Sequence, residues 1–164
     1  MIFIEDNFLN KEDCIYLKQL AEENRETADP YNDIYTLNLH KLNLKKTVQM
    51  GHKLSNNISM RGILAYPELM QITIWPTETE QSVHVDETRD STNFTSITYL
   101  NDDYVGGETY FTNGINIKPK QGKTVFFDGK RYQHGVKRIT DKERFVLATW
   151  YTNDINNVYY KWQN

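Results

Sequence analysis

Beyond residue 63 the hydrophobic period of the chain shortens from near 3.6 residues to two. Short apolar stretches then alternate with Gly, Pro, Asn and Asp as far as about residue 152. This switch limits the fold more than any other feature. It predicts strands at about 69–75, 81–86, 94–100, 108–112, 115–118, 123–127, 132–137 and 144–151. Eight short strands so spaced suit an antiparallel jelly roll, a cupin-like double-stranded β-helix. An aromatic content of 13%, with 11 Tyr and 7 Phe, agrees with strands rather than with helices or disorder.

The first part of the chain reads differently. Ile2 to Phe8 alternates like a short strand, and Asn10 stands where a helix N-cap belongs. Ile15, Leu17, Leu20 and Ala21 then recur at helical spacing from Lys11 to about Glu26, with Lys18, Glu22 and Glu23 on the other face. Residues 27–33 are rich in turn formers, and a second helix is expected from about Lys45 to Ile58, closed by Gly62. With 164 residues there is length for one ordinary domain, 1–164. The expectation is a mainly β, α+β domain: a helical buttress over about 1–62 and a jelly-roll core over about 63–152.

A net charge of -3 gives no long-range pull toward nucleic acid. The single cysteine, Cys14, can form no internal disulfide. The opening residues are acidic where a secretory leader would be basic, and no apolar run approaches membrane-spanning length. The expected setting is cytoplasmic, without a membrane.

The chemistry is concentrated in Ser82-Val83-His84-Val85-Asp86. His84 and Asp86 are two apart on an expected strand and so share a face. A nitrogen donor and a carboxylate at this spacing supply two corners of a two-His, one-carboxylate facial triad, which leaves positions open on an octahedral iron(II). By itself the pair is as consistent with a solvated strand end. Among the four histidines, His134 is the best third ligand, although a packed barrel histidine would read the same way. His40 and His52 fall in the helical half and are not assigned. Ten residues beyond His134, Arg144 opens a strand that places Arg144, Val146, Ala148 and Trp150 on one face and Phe145, Leu147 and Thr149 on the other. Both faces are largely apolar, so the guanidinium needs a carboxylate, from the protein (Glu108 is a candidate) or from a bound acid.

Taken in order, these parts resemble the prolyl hydroxylase branch of the 2-oxoglutarate and iron(II) oxygenases. They are His84-x-Asp86, Tyr99-Leu100-Asn101, Gly106-Gly107-Glu108-Thr109-Tyr110-Phe111, the run 118–127, then His134 and Arg144. The resemblance covers about 69–152, and the opening residues are similar too. It implies a double-stranded β-helix with Fe(II) on His84, Asp86 and His134. It further implies that Arg144 and Tyr99 hold the distal carboxylate of 2-oxoglutarate, and that O2 is the second cosubstrate. Gly106 and Gly107 match a conformational Gly-Gly-Glu turn, and Trp150 an aromatic beside the substrate opening. The implied reaction hydroxylates a C–H, with a prolyl residue of a peptide or protein as the leading substrate. A free amino acid or another small molecule is the alternative.

One departure is Trp75, which stands about nine residues before His84, where the family often has Tyr. Three rival readings are a nucleic-acid dioxygenase using Arg138 and Arg144, a non-catalytic jelly-roll module, and a zinc hydrolase on the same ligands. The negative charge argues against the first, and the last has no use for Arg144. Substrate choice is expected to lie with the loops 27–40, 76–82 and 88–93 and with residues 153–162; the polar segment 87–93 reads as an exposed loop or a lid.

Overall fold

The structure is a computed structural model and describes residues 1–42, 44–86 and 92–158. In chain order it begins with β1 (Ile2–Glu5), α1 (Lys11–Glu23), β2 (Asp29–Tyr31), β3 (Ile34–Asn38) and α2 (Lys45–Ser59). The long β4 (Tyr66–Trp75) leads into β5 (Gln81–His84), β6 (Thr92–Tyr99), β7 (Val105–Gly106), β8 (Thr109–Phe111) and β9 (Asn116–Ile117). It closes with β10 (Thr124–Phe127), β11 (His134–Val136), β12 (Ile139–Thr140) and β13 (Arg144–Thr152). Single 3-10 turns occupy Arg25–Thr27, Leu39–Lys41 and Ile155–Asn157.

Seven strands form a major sheet in the order β1-β10-β6-β13-β4-β3-β2, and four form a minor sheet in the order β5-β11-β8-β9. A third, two-stranded ribbon pairs β12 with β7, and all pairings are antiparallel. This is the double-stranded β-helix, and all eight expected strands are present. No described helix is long and apolar enough to cross a membrane.

The centre of the major sheet is buried on both faces, and β13 shows why its residues are nearly all apolar. Phe145, Leu147 and Tyr151 face the helices, packed with Cys14, Leu17, Leu54 and Ile58. Val146 faces the minor sheet, with Ile97, Tyr99, Phe111, Val125, Phe127 and Val136. A strand covered on both faces cannot show the polar alternation of a surface strand. Asn10 caps α1, its Oδ1 accepting from Asp13 N at 2.7 Å.

Several boundaries differ from expectation. α1 ends at Glu23, and its buried stripe is Cys14, Leu17 and Ala21, while Ile15 is exposed. Spacings of three and four from Cys14 place Ile15 a hundred degrees off that stripe. Gly62, at φ +76°, lies in the turn after α2 rather than at its last residue. Residues 27–33 hold an edge strand as well as a turn: β2 pairs with β3 across Asn32-Asp33, with Asn32 at φ +51°. Pro30 is tolerated there because an edge strand needs only one row of ladder bonds. The first 62 residues thus supply three strands of the major sheet besides the two helices.

Candidate metal and anion site

The minor sheet brings His84 and His134 together. β5 and β11 are antiparallel neighbours in which His84 and His134 are direct Cα partners, with ring centroids 4.4 Å apart. Asp86 follows two residues after His84, its N–H held by Gly129 O at 3.0 Å. A Cβ at Gly129 would lie 2.8 Å from Asp86 Cβ and 2.4 Å from Thr95 Oγ1, so the turn at Gly129 is what leaves Asp86 its place.

Backbone carbonyls determine what the two imidazoles offer. His84 Nδ1 lies 3.0 Å from Ser82 O, and His134 Nδ1 lies 3.1 Å from Tyr132 O. Each Nδ1 therefore carries the proton and each Nε2 presents a lone pair. Those lone pairs meet Asp86: His84 Nε2 is 3.7 Å from Oδ1 and His134 Nε2 is 3.8 Å from Oδ2. Neither separation is a hydrogen bond. The three ligand atoms lie within 4.8 Å of one another and could hold a metal ion. Burial pulls the His134 pKa below its ordinary value; Asp86 opposes this and His84 adds to it. The buried imidazole therefore stays neutral and able to ligate. Two nitrogens and one carboxylate oxygen on one side of an ion suit Fe(II) with positions left open.

A cavity of about 310 Å³ runs from these residues between the two sheets. Arg144 lines it, at the start of β13 and paired with Trp75 of β4. Its side chain is 1% exposed, yet Nε and Nη1 have no hydrogen-bond partner and Nη2 reaches only Thr109 Oγ1, at 3.5 Å. Among the described residues no carboxylate pairs with it, so the salt bridge to Glu108 is not formed. The guanidinium carbon sits 5.0 Å over the Trp75 ring and 5.5 Å from the Tyr99 ring. Aromatic faces stabilise the cation without using its N–H groups, which leaves a planar fork for an acid. Gly107, at φ +67°, makes room beside it: a Cβ there would be 3.1 Å from Arg144 Cδ and 2.7 Å from Tyr104 Cε2.

Tyr99 is fully buried beneath Arg144, and its hydroxyl donates to Thr109 Oγ1 at 2.8 Å. Burial raises its pKa, with Arg144 pulling the other way, so the phenol stays a neutral donor. Trp75 turns its indole N–H to Thr73 Oγ1 at 2.9 Å and gives its ring to Arg144. Trp150 lines the cavity, and its Nε1 has no partner. His40 and His52 do not line it.

Two contributors were not singled out from sequence. Thr109 joins Tyr99 and Arg144 through one hydroxyl; its place beside Gly106-Gly107-Glu108, inward on β8 with Phe111, is the signal that could have found it. Gly129 is the other, marked only by the turn Asp128-Gly129-Lys130. Residues 87–91 of the polar segment 87–93, and 159–162 of the final stretch, lie outside the described residues.

Comparison with known proteins agrees with this geometry. The family described as the 2OG-Fe(II) oxygenase superfamily matches residues 70–152. Prolyl 3-hydroxylase 2 of Rattus norvegicus is 38% identical over 68 residues, which cover 37% of this chain and 10% of that protein. The match thus spans about a tenth of the curated relative's length. A Pseudomonas putida prolyl-4-hydroxylase superposes with a TM-score of 0.79 at 17% identity, covering 93% of this chain and 92% of that one. A prolyl hydroxylase from Trichoplax adhaerens, solved with a hypoxia inducible factor oxygen degradation domain peptide fragment, gives 0.77 at 16% identity, covering 93% and 83%. At such identities the structural likeness is one of fold.

Proposed function

The chain belongs to the 2OG-Fe(II) oxygenase superfamily, and from that membership we propose that it is an Fe(II)- and 2-oxoglutarate-dependent dioxygenase hydroxylating an aliphatic C–H. The substrate we favour is a prolyl residue within a peptide or protein. The observation that carries the reading is Arg144: a buried guanidinium with two unpartnered nitrogens, Nε and Nη1, opening into the same cavity as His84, Asp86 and His134. An unpaired buried cation costs several kcal/mol, of order, and a bound dicarboxylic acid offsets this.

In this reading His84, Asp86 and His134 hold the iron, which when bound supplies the oxidising chemistry that converts 2-oxoglutarate and O2 to succinate and CO2 while one oxygen enters the substrate. Arg144 holds the far carboxylate through its fork, whose plane Trp75 and Tyr99 fix; for Tyr99 to donate to the same carboxylate, as the resemblance implies, its hydroxyl would turn from Thr109 Oγ1. Thr109 Oγ1 accepts a hydrogen bond from the Tyr99 hydroxyl and keeps the phenol in place. Phe111 and Phe127, whose ring centroids lie 5.8 and 4.6 Å from that of His134, exclude water behind the imidazole.

The cavity walls support the substrate class. Besides the three ligands and Arg144, every described lining residue is uncharged, with Ile34, Leu69, Ala148 and Trp150 giving apolar surface. Such walls match a neutral, ring-bearing residue inside a peptide better than a free amino acid with two charged ends. The relative from Trichoplax adhaerens, seen with a peptide, supports the same choice.

The test is succinate formation with Fe(II), 2-oxoglutarate and O2, each omitted in turn, for the native protein and for His84→Ala and Asp86→Ala. Turnover should require all three and vanish in both variants, with the circular dichroism spectrum unchanged. Full decarboxylation by His84→Ala would sink the metal assignment. A mass-spectrometric screen of proline-containing peptides and of free amino acids then identifies the acceptor.

A further inference from the structure

Gln71 lies on β4, opposite Ala148 of β13 and Asn38 of β3, and its side chain lines the cavity. Its carboxamide stands at the inner end of a chain of hydrogen bonds. Nε2 donates to Asn38 Oδ1 at 2.7 Å, Asn38 Nδ2 donates to Asp29 Oδ2 at 3.2 Å, and Lys41 Nζ holds the same carboxylate at 2.9 Å. Neither the metal ligands nor the Arg144 cluster uses this chain of bonds.

Its polarity is set from the outer end. An ionised carboxylate can only accept hydrogen bonds, and the hydrogen bond and charge of Lys41 hold the Asp29 pKa below its ordinary value. Asn38 must therefore turn its NH2 toward Asp29 and its oxygen toward Gln71. Gln71 must then give an N–H to Asn38, and among the described residues no donor reaches its Oε1. Thr36, on the same wall, donates its hydroxyl to Asp29 O at 3.2 Å and so also offers the cavity lone pairs. Gln71 Oε1 and Thr36 Oγ1 thus stand as neutral acceptors on the β3 and β4 wall.

We propose that Gln71 is a substrate-selecting residue whose Oε1 accepts a hydrogen bond from an uncharged backbone N–H of the substrate. The inference rests on the oxygenase reading above and adds a recognition contact to it. A prolyl residue has no N–H of its own, so the donor is the amide of the residue that follows it. Asn38 and Asp29 are positioning residues: with either removed, the carboxamide can flip and set its NH2 against the incoming N–H.

The experiment takes the most active peptide of a proline-containing library, together with its analogue N-methylated at the amide after the oxidised residue. Both are compared in the native protein, Gln71→Leu and Asn38→Leu. Loss of one neutral hydrogen bond predicts a rise of about 3- to 10-fold in the KM for the parent peptide in Gln71→Leu. The N-methyl peptide should show a similar rise with the native protein, and the two losses should not add. Asn38→Leu should narrow the native protein's preference for the parent peptide. The dissociation constant for 2-oxoglutarate with Mn(II), which a general packing defect would also move, should stay put. An unchanged peptide KM in Gln71→Leu, additive losses, or succinate formation that no peptide stimulates would each overturn the proposal. A native protein that forms no succinate at all under iron and oxygen would instead remove the oxygenase reading beneath it.

Discussion

Replacing Arg144 by Met separates a guanidinium that waits for a ligand from one that holds the fold together. If it were half of a structural ion pair, removing it would strand a buried carboxylate and cost about 3–5 kcal/mol. The structure gives a different sum. Nε and Nη1 are buried without partners, and relieving each recovers about 1–3 kcal/mol. Against that stand the contacts with the Trp75 and Tyr99 rings, at 5.0 and 5.5 Å, worth about 0.5–2 kcal/mol each. The balance is near neutral to stabilising by about 1–2 kcal/mol, and at about 2–4 °C per kcal/mol for a chain of this size Arg144→Met should match or exceed the native Tm. The ligand response should reverse. With Mn(II) and 2-oxoglutarate at about 100 times Kd, the native protein should gain about 2.7 kcal/mol, and the variant little or nothing. Scanning calorimetry of both proteins with Mn(II), with and without 2-oxoglutarate, measures all four states. A ligand-free variant destabilised by about 3 kcal/mol or more, with an undiminished response to 2-oxoglutarate, would refute the reasoning.

Three further outcomes are expected. Gly129→Ala pushes a methyl group into Asp86 and Thr95, and should weaken Co(II) binding by about 10- to 100-fold, as disturbance of a ligand's support does; Co(II) absorbance titration reads this, and unchanged affinity would mean Asp86 is not held by that turn. Trp75→Ala uncovers one face of Arg144 and should raise the KM for 2-oxoglutarate by about 3- to 30-fold, whereas Trp75→Phe should change it less. Cys14 is buried, and burial pushes its thiol pKa up to about 11, so iodoacetamide at pH 8 should label it only after unfolding. Because this acid's folded pKa is raised, its contribution to stability is complete below the unfolded value near 8.5 and fades as pH rises toward about 11. The urea midpoint should therefore fall more steeply over that range in the native protein than in Cys14→Ala.

The parts of the fold legible in the sequence are those where a strand's two faces have different tasks. β13 places Arg144 among Val146, Ala148 and Trp150, and the clash between one charge and that apolar company already demanded an anion. His84 and Asp86 could be paired because two residues on a strand share a face. What could not be read is how β5 meets β11. The partnership of His84 with His134 depends on register between strands fifty residues apart, which local pattern does not encode. The hairpin of β2 and β3 was hidden by composition, since Asp29-Pro30-Tyr31 contains turn formers that only an unpaired edge permits. On α1, hydropathy alone does not say which of two adjacent apolar residues, Cys14 or Ile15, faces the sheet. Thr109 and Gln71 escaped notice because an inward polar residue announces a partner without naming it.

That hidden register also explains why the proposed chemistry sits where it does. His84 and His134 belong to the minor sheet, whereas Arg144, Trp75 and Gln71 belong to the major one. A short acid that touches both the metal ligands and Arg144 must lie between the sheets, in the seam where their side chains would otherwise pack. The seam is left open because four polar or charged groups, His84, Asp86, His134 and Arg144, occupy positions where continued apolar packing would have filled it. The cost to folding is clearest at Arg144, whose Nε and Nη1 are buried without a partner among the described residues. Both cores around the seam are complete enough to carry that cost: the helix-backed face closes over Leu17, Leu54 and Leu147, and the inter-sheet face over Tyr99, Val125 and Phe127. Arg144 gives up stability in that seam with two buried, unpartnered nitrogens, and a dicarboxylic acid lying between it and a cation on the three ligating residues would satisfy both ends together.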